Sequence, residues 1–413
     1  MASELSQVEV RRDRSPTAFL ANAEREAERR GIYDALVVDC DCHLLEPGAF
    51  NEMTAHISNP FVRRQFERYP TPQLLYTLFP STPGDRTMQG RISGSFAAAA
   101  RTEVSETPRA LDGMHPTRAT VLRSMRSIGI DYSVLFPTAM LTLGLSPQVE
   151  VEVALAQGFN RWLVRDVIPD EGPIKTMLYL PIGDPDASVA LIEELGEASN
   201  VIGFLITCVR NQPLHENRFV KVFAALNERR LPLAFHSGPH WSEESFRQFN
   251  RFISAHALGF PFFAMCQMTN WIYSGLAERF PSVTPIFMEA GIAWLPFMVG
   301  RLDNEYRLRS SEAPLLTKMP SDYIRDFYYT SQPLDVIENQ HHMQAIMEMF
   351  DGENHLLYAS DFPHQDFDLP STIWDMSFLS EDARRKILGG NAARLFNLPD
   401  VKLKDRHPEL FEP

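Results

Sequence analysis

The chain has 413 residues, 44% of them hydrophobic and 22% charged, with a formal net charge of -14. This is a globular composition, and its acidic balance argues against nucleic acid or an anionic membrane as partner. No apolar stretch reaches the roughly 18 residues that a membrane-spanning helix needs.

Residues 1–34 read as an N-terminal extension with a charged, helix-like segment at Ala23–Arg30. Met1 to Arg14 is polar and charged and lacks the apolar centre of a secretion signal, so a cytoplasmic protein is expected. The apolar run Ala35–His43 reads as a buried strand and continues into Leu44-Leu45-Glu46. A long insertion, 47–120, follows it. The insertion is rich in Pro, Thr, Arg and aromatics (Phe61, Phe66, Tyr69, Tyr76, Phe79), as expected of a lid or substrate wall.

Seven further strand-like runs come next: Tyr132–Pro137, Ile174–Pro181, Val201–Cys208, Pro232–His236, Thr284–Glu289, Phe327–Gln332 and His355–Asp361. Helical patterns fill most of the gaps, at Val149–Ile168, Asp186–Ala198, Arg218–Glu228, Phe252–Phe280 and Leu334–Met349. Ser380–Phe396 closes the set, and 400–413 form a polar tail, read as an oligomer arm or a loose end. Many of the runs lack polar alternation, as parallel strands covered on both faces do. Eight strand–helix units over 35–399 predict an α/β fold, a TIM (β/α)8 barrel with its long insertion after strand 1.

In such a barrel the carboxyl ends of the strands form the active face. Asp41, His43 and Glu46 stand at the end of the first run, and Asp-x-His places two side chains on one face of a strand. The fifth run ends in His236, the sixth in Glu289, and the eighth in Asp361 with His364 three residues on. His256, in the helical segment after the fifth strand, could also turn inward. His240 reads as a substrate-side residue. A lone His at a strand end is commonly structural, and a lone acid there is commonly a helix cap. Several coinciding on one face point instead to a metal. His56, His115, His215, His341, His342 and His355 have no such position. The four cysteines, Cys40, Cys42, Cys208 and Cys266, form no CxxC pair and read as reduced thiols.

Asp39–Pro47, Gly129-Ile130-Asp131, Val134–Thr138, Asn160-Arg161-Trp162 and His236-Ser237-Gly238 form an ordered set of motifs. The set continues with Glu289-Ala290-Gly291, Trp294-Leu295-Pro296, Arg301-Leu302-Asp303, Ser360–His364 and Ile387–Leu395. From Val37 to Leu398 the chain resembles the amidohydrolase superfamily in its amidohydrolase-2 branch. The resemblance implies a divalent metal held by Asp41, His43, His236 and Asp361. It also brings the expectation of a homodimer.

Decarboxylases and hydratases of that branch commonly carry His at the end of strand six, where this chain has Glu289. Asp41, Glu46, Glu289 and Asp361 together would place four negative charges in one pocket, which two divalent ions would neutralise. Oxygen-rich sites with a few imidazoles suit iron or manganese. The chain is in this respect similar to the branch's dinuclear iron or iron–manganese oxygenases, such as isobutylamine N-hydroxylase and a diterpenoid hydroxylase. The leading expectation is therefore a non-heme dinuclear monooxygenase that hydroxylates a C–H or N–H of a small organic substrate. It would use O2 and an external electron donor. The first metal would take His43, His236, Asp361 and Asp41. The second would take Glu46, His256 and Glu289, with His364 nearby. The alternative is an amidohydrolase-2 hydrolase or decarboxylase with one or two metals, zinc among them, in which Glu289 or His256 moves protons. A third reading is a partner subunit without turnover.

Overall fold

The computed structural model describes residues 16–68, 111–208, 213–238 and 243–411, apart from 45, 112, 147, 247, 336, 338 and the pair 365–366. Most of the insertion and His240 therefore lie outside the described residues, as does the N-terminus before residue 16.

Eight parallel strands follow one another around the sheet in chain order. They are β1 (Val38–Leu44), β2 (Tyr132–Pro137), β3 (Ile174–Tyr179), β4 (Val201–Thr207), β5 (Leu233–His236), β6 (Pro285–Met288), β7 (Tyr328–Thr330) and β8 (Leu356–Leu357). β8 pairs through only two residues, so the seam back to β1 is closed mainly by the segment that follows it. Cys42 bridges Phe362 in parallel. The Cys40 amide donates to the Tyr358 carbonyl at 2.9 Å, that of Asp361 to Asp41 at 2.7 Å, and that of His43 to Phe362 at 2.8 Å. The result is the expected TIM barrel.

Strand parity decides which side chains reach the barrel interior. Phe235, Phe287 and Tyr329 are register neighbours on β5, β6 and β7. Their rings stack at 5.2 and 5.9 Å, and Phe235 also meets Trp271 of the helix Phe252–Tyr273 at 5.5 Å. That face is therefore the core between strands and helices. Side chains alternate along a strand, so His236 points the other way, into the barrel mouth. Asp41 and His43, two residues apart on β1, share a face in the same manner.

The helices fill the outer layer with adjusted boundaries. The helix expected over Phe252–Phe280 divides into Phe252–Tyr273 and Leu276–Arg279 at Gly275, which takes φ 70. The helix expected from Leu334 begins at Gln340, where the Asn339 side chain caps the His341 amide. Helices at Pro116–Ile128 and Leu295–Arg309 were not anticipated. In the closing segment, a Cβ at Gly389 would meet the Leu36 carbonyl oxygen at 2.3 Å, which explains glycine there. The tail packs against the barrel base. Leu403 and Leu410 are buried, and Asp131 accepts from the Leu403 amide and the Lys402 ammonium, both at 2.9 Å. No described helix is long and apolar enough to cross a membrane.

Candidate metal centre

Two groups of ligand-type side chains converge at the carboxyl ends of the strands: Asp41, His43 and His236, and His43, Asp361 and His364. They share His43 and form one centre. Oδ1 of Asp41 lies 3.1 Å from His43 Nε2 and 3.2 Å from His236 Nε2. Oδ1 of Asp361 lies 3.2 Å from the same His43 nitrogen. Asp41, His43, His236 and Asp361 are all buried.

Hydrogen bonds fix the orientation of both imidazoles. His43 Nδ1 donates to the Pro137 carbonyl at 2.9 Å, and His236 Nδ1 donates to the Ser237 carbonyl at 2.7 Å. A carbonyl can only accept, so each Nδ1 carries a ring proton, and Nε2 of both rings is turned towards Asp41, that of His236 within hydrogen-bond distance of its Oδ1. His43 Nε2 and Asp41 Oδ2 are buried polar atoms without a hydrogen-bond partner among the described residues. Lone pairs and carboxylate oxygens aimed at one point repel unless a cation lies between them. The donor set thus fits a divalent metal held by Asp41, His43, His236 and Asp361, and two carboxylates balance the charge of one such ion.

The electrostatics agree. Burial alone would raise the Asp41 carboxyl, but His236 and His43 hold it far below the usual carboxylate range. Asp361 is likewise lowered against burial, by His364 and His43. His43 is pushed well above the ordinary histidine value, because Asp41 and Asp361 outweigh its burial. Asp39, buried beside the centre, is pushed up to about 7 by burial despite its hydrogen bonds to Ser360 and Asp41.

His364 lies at the edge of the centre. Its Nδ1 is 2.7 Å from Asp361 Oδ1 and its Nε2 3.2 Å from Thr138 Oγ1. Its ring lies 4.3 Å from that of His43, and its side chain is 21% exposed. A proton held here has access both to a ligand carboxylate and to the open mouth.

The second metal expected from Glu46, His256 and Glu289 is not assembled among the described residues. Glu46 is buried, but it accepts from the amides of Thr138, Ala139 and Met140 at 2.8, 3.1 and 3.2 Å. It caps the 3-10 turn Ala139–Leu145, and burial raises its carboxyl against those amides. His256 lies half-buried in the second turn of its helix, its ring 4.9 Å from Phe260. Glu289 does reach the centre's rim. Its Oε2 is 3.6 Å from His236 Nδ1, the nitrogen turned away from the ligand cluster. Its amide donates to Thr330 Oγ1 at 3.0 Å, and it adopts φ 52. Asp361 shares this left-handed conformation at φ 60, which costs on the order of 1–3 kcal/mol for a residue with a Cβ.

Of the histidines set aside, His56 pairs with Asp166, His115 with Glu52 and His355 with Asp351, all in other clusters. Thr138, Asp39 and Ser360 escaped the sequence reading of the site. All three lie inside motif stretches, but no metal-ligand chemistry marks them.

The Amidohydrolase family model (Amidohydro_2) matches residues 38–398. Among curated proteins, a gamma-resorcylate decarboxylase from a Rhizobium species is 25% identical over 299 residues, covering 68% of this chain and 86% of that protein. A second, from Rhizobium radiobacter, is 24% identical over 299 residues with the same coverage. Among solved structures, 5-carboxyvanillate decarboxylase from Sphingomonas paucimobilis has a TM-score of 0.61 at 20% identity, covering 88% of this chain and 100% of that one. A dihydroxybenzoic acid decarboxylase from a Polaromonas species, with bound manganese and 2-nitroresorcinol, has a TM-score of 0.59 at 14% identity, covering 89% and 98%. At these identities the solved structures speak for the fold.

Proposed function

The chain belongs to the amidohydrolase family (Amidohydro_2), and from that premise we propose that it is a metal-dependent decarboxylase of a hydroxylated aromatic acid. The observation that carries the reading is the convergence of Asp41, His43, His236 and Asp361, with His43 Nε2 and Asp41 Oδ2 left without a hydrogen-bond partner among the described residues. The gamma-resorcylate decarboxylases among its relatives support the reaction class.

A divalent ion held by Asp41, His43, His236 and Asp361 would supply positive charge that stabilises negative charge developing on the substrate. His43 and His236 keep their Nε2 lone pairs towards the ion because Pro137 and Ser237 hold their Nδ1 protons. The Asp361–His364 pair holds the proton that the reaction consumes, between Oδ1 and Nδ1. The ring carbon bearing the carboxylate takes that proton. The bond to the carboxylate carbon then breaks, its electron pair restores the aromatic ring, and CO2 leaves. Thr138 Oγ1 steadies the outer nitrogen of His364. Glu289, at the rim, is the residue that sets this pocket apart from branch members with His at the end of strand six.

The dinuclear oxygenase reading requires Glu46, His256 and Glu289 to meet at a second ion. Instead Glu46 accepts from three amides, and among the described residues the ligand groups hold two carboxylates, Asp41 and Asp361. That charge count favours one ion and chemistry without O2.

The test is a panel of mono- and dihydroxybenzoates offered to manganese-loaded protein under anaerobic conditions. The reading expects CO2 release from at least one acid, with the decarboxylated phenol as product. Product formed only when O2 and a reductant are supplied would overturn it.

A further inference from the structure

We infer that Asp39 is a positioning residue of the metal centre: its carboxylate clamps the strand that carries Asp41 and His43 to the segment that carries Asp361. The inference rests on the metal centre described above and not on the reaction assigned to it.

β8 contributes only two paired residues, and the ladder ends before Asp361. The junction between β1 and that segment is one parallel bridge, Cys42 to Phe362, with three backbone hydrogen bonds, of the Cys40, His43 and Asp361 amides. Side-chain hydrogen bonds of Asp39 reinforce it at the ligands. Asp39 is fully buried and stands outside both ligand groups. Its Oδ1 accepts from the Ser360 amide at 2.8 Å and from the Asp41 amide at 3.2 Å. Its Oδ2 accepts from the Ser360 hydroxyl at 2.6 Å. That hydroxyl oxygen in turn accepts from the Phe362 amide at 3.0 Å.

One carboxylate thus holds the backbone of a ligand on β1 and of the residue before a ligand on the facing segment. Asp361 is gripped from both neighbours while it adopts a left-handed conformation that its own side chain disfavours. Loss of the clamp would let Asp361 relax and carry its carboxylate away from His43 Nε2.

The test compares Asp39→Asn, Asp39→Ala and Ser360→Ala. Mn2+ affinity is read by titration on folded protein, and the metal-free melting temperature is recorded in parallel. Asparagine keeps an acceptor for both amides, and Ser360 can turn its hydroxyl proton towards the Asp41 carbonyl at 3.5 Å. Asp39→Asn is therefore expected to bind Mn2+ within about threefold of the parent, while Asp39→Ala weakens binding by roughly 10–100-fold, the range for partners that orient metal ligands. If Asp39→Ala does not fold, Ser360→Ala decides, with an expected loss of about threefold or more. Parent-like affinity in folded Asp39→Ala, or in Ser360→Ala where it decides, would overturn the inference. Equal losses in Asp39→Asn and Asp39→Ala would also overturn it, because charge rather than position would then be the cause.

Discussion

Nε2 of His43 lies 3.1 Å from Oδ1 of Asp41, while Nδ1 of the same ring donates to the Pro137 carbonyl, so the nitrogen that faces the carboxylate is the one left for a ligand's role. The pair is arranged for an ion between the two atoms. In the metal-free protein a proton on the imidazole takes that role, and it makes the first prediction.

Asp41 and Asp361 overcome burial and raise His43 well above its ordinary value, so the metal-free ring holds its second proton more tightly than a free imidazole does. Metal binding needs the neutral ring. Loading with Mn2+ should therefore release on the order of one proton per ion, and affinity should rise with pH until His43 deprotonates without metal. Calorimetry in two buffers of different ionisation enthalpy reads the release directly. A heat independent of buffer would contradict the arrangement.

The same shift has a consequence for stability without metal. The folded value of His43 lies above the unfolded one, so its contribution is fully present below about pH 6.5 and is lost as pH rises through the folded value. Asp41 and Asp361 are shifted down, so their contribution is present above the unfolded carboxylate value and is lost on acidification. Metal-free protein should be most stable between these limits. Bound Mn2+ should flatten its loss on the alkaline side, as melting curves across pH would show.

Glu46→Ala removes the acceptor of three amides without touching the ion. It should cost about 2–4 kcal/mol in chemical denaturation, since hydrogen bonds to a charged group are worth about 1.5–3 kcal/mol each and water replaces part of the loss. Metal content should remain that of the parent. Loss of an ion equivalent with unchanged stability would restore the dinuclear reading.

His364→Asn removes the proton carrier and leaves Asp361 in place. Turnover should fall by roughly 10²–10⁴, the usual contribution of a general acid, while manganese content stays close to that of the parent. Glu289→Gln should also keep the metal, because the Ser237 carbonyl at 2.7 Å holds His236 Nδ1 more closely than the Glu289 carboxylate at 3.6 Å. Metal analysis of both variants separates proton handling from ligation.

Gly389→Ala tests the closing segment. Its Cβ would press on the Leu36 carbonyl oxygen, and two backbones must separate to admit it. Overpacking of this kind costs about 1–3 kcal/mol, which a denaturant titration resolves.

The barrel was legible because its strands are continuous apolar runs and because parity along a strand is fixed. Asp41, His43 and His236 could be placed at the mouth for that reason, and Asp361 because it ends the eighth run, beyond β8. Glu46 could not, because it lies past the strand in the turn Glu46–Ala49, and its partners are amides at 138–140, remote in sequence. Its cap role was foreseen only as a general alternative for acids at strand ends. Counting it and Glu289 with the ligands gave four charges, where the ligand groups among the described residues hold two, and that count led to the second ion. For His256, a helical segment near the mouth does not by itself fix which way one of its side chains turns. The clamp by Asp39 was hidden because it joins residues 39 and 360 through a barrel seam that no local pattern announces.

The central claim is one ion at one centre. Elemental analysis of protein purified from manganese-supplemented cells should find roughly one divalent ion per chain, lost in His43→Ala and retained in Glu46→Ala and Glu289→Gln. Two ions per chain, with one lost in each of those glutamate variants, would contradict it.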